Sequence, residues 1–273
     1  MSTPSPSVAE LHVRESGTGA AVLLLHGWGG DHTVWNGQIG SLAERMHVLA
    51  PDLRGHGQTP APNGSTFGFD ELEGDLDAML ERRGVSTVHL IGLSAGGFLA
   101  LRYALDHPNR VLSLSLVGSA GVCDGHTRAT AAHWAEVYRT QGYEAFIMRL
   151  IKDLYYPEWL EQHMDVIDRA LESMKGRDLK SVVQWGLALR SFDVRSQLGR
   201  IRVPTYVLHG MDDRVVDPSH ARLMRQAIRG AELKLFPYAG HVVPVERAEE
   251  FTRAITEWYA RIPAPSTGAP RPA

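Results

Sequence analysis

Six residues, Gly92-Leu93-Ser94-Ala95-Gly96-Gly97, set one hydroxyl among small neighbours. The apolar run Thr87–Leu93 leads into them, and a helical pattern over Ala95–Leu105 follows at once. Small flanking residues allow a sharp strand-to-helix turn that lifts the Ser94 hydroxyl clear of the backbone. The helix behind it points its first N–H groups at any negative charge that develops there. A serine hydroxyl is a weak nucleophile at neutral pH, so it needs a base and an acid to orient that base. Both follow in chain order. The run Thr205–Leu208 ends in His209-Gly210-Met211-Asp212-Asp213-Arg214, an acidic turn in which either Asp212 or Asp213 could serve. The run Glu232–Phe236 leads into Pro237-Tyr238-Ala239-Gly240-His241. Upstream, His26-Gly27-Trp28-Gly29-Gly30 closes the run Ala21–Leu25 with a loop whose backbone N–H groups can face an oxyanion.

These loops need a scaffold that collects them. Leu11–Arg14, Ala21–Leu25, His47–Ala50, Thr87–Leu93, Val111–Val117, Thr205–Leu208 and Glu232–Phe236 read as short strands. Helical patterns at Thr33–Arg45, Asp70–Arg83, Ala95–Leu105, Pro218–Ile228 and Glu246–Ala260 separate most of them. Strands alternating with helices predict an α/β fold with a parallel sheet covered on both faces. Ligands of such sheets bind beyond the C-terminal strand ends, where Ser94, the acidic turn and His241 all fall. Residues 121–199 break the alternation with helical patterns rich in large side chains, Trp134, Phe146, Tyr155, Trp159 and Trp185 among them. A stretch so long is not a plain loop. It is expected to form a helical cap, with residues 8–120 and 200–262 as the core domain. Residues 1–7 and 263–273, rich in Pro, Ser and Thr, are expected to be disordered tails.

Composition removes several function classes. With 28 Lys+Arg against 31 Asp+Glu, the net charge is −3, and there is no basic stripe for nucleic acid. The only cysteine, Cys123, excludes an intramolecular disulfide framework and a cysteine-rich zinc site, and it reads as a small buried hydrophobe. No apolar run suggests a membrane helix, and no secretory signal is visible, so a cytoplasmic location is expected. Thirteen histidines invite a metal site, yet none shows H-E-x-x-H spacing. His26 and His56 sit in glycine-rich turns, Asp52 and Arg54 in the loop after a strand, and all read as loop fasteners. His209 reads as a buried structural histidine, with a supporting role behind the acid that follows it as the alternative.

The patterns HGWGG at 26–30, PDLRGHGQT at 51–59, GLSAGG at 92–97, GMDDRVVD at 210–217 and GHVVPVERAEEF at 240–251 stand in order. With them the chain resembles the α/β-hydrolase fold superfamily, in particular its small esterase- and enol-lactonase-like members with a helical cap. The resemblance runs from about Leu11 to Ala260. It implies a mostly parallel twisted sheet with helices on both faces, Ser94 as nucleophile and His241 as base. It prefers Asp213 over Asp212 as the acid, and it assigns the oxyanion-holding N–H groups to Trp28 and Ala95. A serine in place of an aspartate sets aside the haloalkane dehalogenase and epoxide hydrolase reactions. Leu93 stands where related carbon–carbon bond hydrolases usually carry Asn, which disfavours that reaction. The N-terminal strands are short for the family. The expectation is hydrolysis of an ester or lactone of a mainly apolar small molecule through an acyl-enzyme, without cofactor or metal. Carbon–carbon hydrolysis or perhydrolysis on the same residues is the alternative. A receptor-like ligand-binding protein with slow or single turnover is the alternative of another class.

Overall fold

The computed structural model describes residues 8–61, 66–174 and 179–262; the expected tails fall outside them. Seven strands form one sheet: β1 (Val13–Ser16), β2 (Ala20–Leu25), β3 (Met46–Pro51), β4 (Val88–Leu93), β5 (Val111–Val117), β6 (Thr205–Gly210) and β7 (Glu232–Phe236). Their order is β1-β3-β2-β4-β5-β6-β7, and only β1 runs antiparallel to its neighbour. The central strands β2 and β4 are buried along nearly their whole length, as strands covered on both faces must be. Their Val/Leu/Ile runs supply that burial. The edge strand β1 is short and carries Arg14 and Glu15, which discourage further pairing.

The helices follow from connection handedness. From β2 the chain moves one way, through α1 (Asn36–Ala43), to β3. It then reverses through α2 (Phe69–Arg82) to β4 and through α3 (Ala95–Asp106) to β5. Right-handed crossovers in opposite directions put α1 on one face and α2 and α3 on the other. Five helices, α4 (Gly125–Gln141), α5 (Tyr143–Leu154), α6 (Pro157–Gln162), α7 (Asp165–Met174) and α8 (Leu179–Leu189), lie between β5 and β6. The remaining helices are α9 (Ser219–Ala227), the short α10 (Val243–Glu246) and α11 (Ala248–Arg261). The last packs beside α1. No described helix is long and apolar enough to cross a membrane.

Most elements start or end within one or two residues of their sequence boundaries, and at three of them the cause of the difference is visible. The first strand starts at Val13, because His12 instead gives its N–H to Thr59 and its carbonyl to the N–H of Asp52. The pattern Thr33–Arg45 divides into a 3-10 turn, His32–Trp35, and α1, since the Asp31 carboxylate accepts from Thr33 N–H and caps the turn. The last helix begins at Ala248, because the Glu246 carboxylate turns back onto the preceding loop.

Strand register decides what the loops can reach. Leu25 lies opposite Gly92, Leu93 opposite Val117, Val117 opposite Leu208, and Gly210 opposite Phe236. The turns after β2, β4, β5, β6 and β7 therefore emerge along one edge of the sheet. The crossover direction reverses between β2 and β4, which opens a crevice at that point of the edge.

Candidate active site

Ser94 stands in this crevice with φ 52° and ψ −119°. Only Ser94 and Tyr238 combine a positive φ with a side chain among the described residues. Such a conformation costs about 1–3 kcal/mol and persists only when its surroundings enforce it. The glycines enforce it. A Cβ at Gly92 would run into the backbone of Gly96, and one at Gly96 into the carbonyls of Leu25 and His26. The turn is closed by Ser94 N–H donating to Val117 O at 2.8 Å and by Gly97 N–H donating to Ser94 O at 2.8 Å. Ser94 remains partly exposed.

The loop after β2 lies against it. A Cβ at Gly27 would sit 3.1 Å from the Ser94 Cβ and 3.7 Å from its Oγ, so only bare backbone fits there. His26 holds this loop: its Nε2 accepts the N–H of Leu53 at 2.9 Å, and its Nδ1 meets Gly27 O at 2.8 Å. The backbone N–H groups of Trp28 and Ala95 donate to no other group among the described residues. They are two spare donors beside one hydroxyl.

His241 arrives on the loop after β7. Its ring packs over Gly118, where a Cβ would lie 3.3 Å from Nδ1. Gly118 directly follows Val117, the residue whose carbonyl holds Ser94. Nδ1 is 2.8 Å from Asp213 Oδ2, which leaves Nε2 without a partner among the described residues. No hydrogen bond joins Ser94 to His241 here; such contacts often tighten only with substrate bound. Asp213, not the exposed Asp212, faces the ring. Its other oxygen accepts the N–H groups of Val215 at 2.8 Å and Val216 at 2.9 Å. Burial alone would raise the Asp213 carboxyl, but the His241 and His209 rings outweigh it and hold the carboxyl well below the usual carboxylate range.

Two further side chains support the site: His209, for which the sequence reading makes this the lesser alternative, and Glu246, to which it assigns no role. His209, completely buried, places Nε2 3.0 Å from Asp213 Oδ2 and 2.9 Å from Val216 O. Burial works against its proton, but the Asp213 carboxylate overrides that and raises its pKa. The available signal is its position at a strand end, just before the acid. Glu246 is the last residue of the G-H-x-x-P-x-E pattern. Its carboxylate accepts N–H groups from Gly240 at 2.9 Å and Val242 at 3.1 Å, on either side of His241. It also accepts Tyr156 N–H, between α5 and α6, at 2.7 Å.

The remaining candidates settle into the fold. His12, His32 and Asp52 could together hold a metal ion, with ligand atoms within 4.8 Å of one another. Asp52 is already engaged, accepting from His32 N–H, His32 Nδ1 and Gln58 N–H at 2.7–2.9 Å. It therefore fastens its loop. Arg54 forms a buried two-pronged pair with Asp75 at 2.7 and 2.8 Å. Cys123 is buried at the start of the insertion, where desolvation raises its thiol pKa.

Residues 20–248 match the alpha/beta hydrolase fold family. The candidate carbamate hydrolase RutD of Variovorax paradoxus is 31% identical over 257 residues, which cover 92% of this chain and 96% of that protein. The 2-hydroxy-6-oxo-2,4-heptadienoate hydrolase of Pseudomonas putida is 30% identical over 261 residues, 92% of this chain and 93% of that one. The crystal structure of the enol-lactonase from Burkholderia xenovorans superposes with a TM-score of 0.84 at 25% identity, covering 93% of this chain and 97% of that one.

Proposed function

Because the chain belongs to the alpha/beta hydrolase fold family, we propose that it is a serine hydrolase cleaving a carboxylic ester or lactone of a mainly apolar small molecule. The observation that carries this reading is the Asp213–His241 hydrogen bond of 2.8 Å, set on the strand edge that presents Ser94 beside two unused N–H donors. His241 Nε2 takes the Ser94 proton as Oγ attacks the carbonyl carbon. Asp213 fixes the tautomer with its Nδ1 hydrogen bond and stabilises the imidazolium. The N–H groups of Trp28 and Ala95 hold the oxyanion, each worth about 10²–10³ in rate. His241 then protonates the leaving alcohol, and a water molecule deprotonated by the same ring releases the acid from Ser94. The helices of residues 121–199 act as a cap over this edge, and their aromatic side chains support the choice of an apolar substrate.

A carbamate offers the same carbonyl chemistry with nitrogen on the acyl side, and the relative in Variovorax paradoxus keeps that variant open. Carbon–carbon hydrolysis is the second reading, favoured by the relative in Pseudomonas putida and opposed by Leu93. Initial rates on p-nitrophenyl esters of increasing acyl length test the proposal. Wild type should turn over, and Ser94→Ala and His241→Ala should each lower kcat by about 10⁴–10⁶. An enzyme inert on every ester but active on a carbamate or a dienoate would overturn the ester assignment. A burst of one equivalent without steady turnover would favour a binding protein.

A further inference from the structure

Trp28 belongs to two parts of the molecule at once. Its backbone N–H is one of the two spare donors beside Ser94, while its indole leaves the loop and enters the helical insertion. There Nε1–H donates to Val182 O of α8 at 2.6 Å. The ring stacks on Trp134 of α4, with centroids 5.6 Å apart and planes within 10°. It meets Phe146 of α5 edge-on at 6.4 Å. Gly186 of α8 makes room, since a Cβ there would lie 3.7 Å from the indole nitrogen. Three helices of the insertion thus hold one side chain of the core.

The backbone carrying this side chain is Gly27-Trp28-Gly29-Gly30, with Gly29 at φ 73°. The peptide that carries the Trp28 N–H is held at its other end, where the Gly27 carbonyl accepts from Gly30 N–H at 3.1 Å and meets His26 Nδ1 at 2.8 Å, but the flanking glycines leave the Trp28 Cα room to tilt. An indole fixed by a hydrogen bond, a stack and an edge contact adds a restraint from the insertion and limits that tilt. An oxyanion donor acts only when aligned with the charge that develops in the transition state. We propose that the Trp28 side chain is a positioning group through which the insertion aims the oxyanion donor, so that hydrolysis depends on how α4, α5 and α8 seat on the core. This rests on the proposed role of Ser94. The tie links core to insertion without touching the substrate's reacting atoms through the indole itself.

Four variants test it: Trp28→Phe, which keeps a ring but loses the donor to Val182, Trp28→Leu, Trp134→Leu on the insertion side, and the double Leu variant. The probes are a p-nitrophenyl ester and phenylboronic acid. Boron accepts a lone pair from Ser94 Oγ, the serine proton passes to His241, and the tetrahedral adduct presents an oxygen to the Trp28 and Ala95 donors. Trp28→Leu and Trp134→Leu should each lower kcat about 10–100-fold, with KM changed less than about threefold, part of the loss expected when a donor is removed outright. Boronate affinity should fall in the same ratio as kcat/KM. The double variant should be little worse than Trp28→Leu, since both remove one tie. Trp28→Phe should fall between wild type and Trp28→Leu. Unchanged kcat and boronate affinity would overturn the proposal. So would a rise in KM alone, which marks an ordinary pocket wall. If Trp28→Leu fails to fold, Trp28→Phe and Trp134→Leu still decide. Ser94→Ala in parallel separates the two readings: if it stays active, the serine mechanism itself has failed, whereas an inactive Ser94→Ala beside normal Trp28 variants removes this inference alone.

Discussion

At the scale of single residues, Asp213 carries the most unusual environment. It is buried, yet two imidazole rings and two backbone N–H groups surround its oxygens. Burial raises a carboxyl pKa, and here the surrounding rings outweigh it, leaving the pKa depressed. A depressed carboxyl contributes stability that is present above its unfolded pKa of about 4 and is lost as pH falls below that value. Asp213→Asn removes that contribution at every pH. Its melting temperature should lie below that of wild type at neutral pH, and the gap should narrow as pH drops below about 4. Its kcat at neutral pH should be about 10⁴-fold lower, because an amide no longer holds the ring in the tautomer that leaves Nε2 free. A gap that widens in acid would show that Asp213 is not the depressed group.

At the scale of elements, the strand–turn–helix of β4 and α3 works because two glycines, Gly92 and Gly96, let backbones touch. Gly96 abuts the carbonyls of Leu25 and His26, which close off β2. Backbone cannot move aside as a side-chain end can. Gly96→Ala should therefore cost about 1–3 kcal/mol in chemical denaturation and disturb both the Ser94 turn and the loop after β2. Gly74, in the middle of α2, is different: a Cβ added there would meet nothing within 4 Å. Gly74→Ala should instead gain about 0.5–1 kcal/mol, since alanine gives up less backbone freedom on forming a helix. If the two substitutions behave alike, close backbone approach is not what requires glycine at 96.

At the scale of the whole molecule, the insertion is joined to the core at both sides of the site. Trp28 makes one joint. Glu246 makes the other, taking N–H groups from Gly240, Val242 and Tyr156 on one buried carboxylate, while His241 N–H donates to Leu154 O at 2.8 Å. Burial raises the Glu246 pKa, although the three N–H donors oppose that. Glu246→Gln offers one acceptor oxygen in place of two and turns an amide N–H₂ toward donors that have nowhere else to go. It should lower stability by about 1–3 kcal/mol. It should also lower kcat by roughly 10–100-fold through misplacement of the His241 ring. Lost stability with unchanged kcat would limit Glu246 to fastening the insertion.

Much of this was legible along the chain, and the reason is physical. The Ser94 turn is set by near neighbours: a glycine on each side, a strand before and a helix after, all close by in the chain. The order of hydroxyl, acid and histidine, each at a strand end, follows from alternation that periodicity reveals, and a parallel sheet then gathers them on one edge. Local patterning also marked the insertion, because a run of helices with large aromatics interrupts that alternation. Tertiary structure alone decided the rest. The acidic run by itself leaves Asp212 and Asp213 open and only the resemblance prefers Asp213, which meets His241 because the turn after β6 buries that carboxylate and leaves its neighbour in solvent. Side chains drawn to distant backbone groups also moved the starts of the first strand and the last helix. His209, Glu246 and the Trp28 indole acquire their partners across separations of 4 to 154 residues. Periodicity shows which face of an element is apolar; it does not show which distant N–H, carbonyl or ring will complete a buried polar side chain, because packing chooses that partner only once the chain has closed.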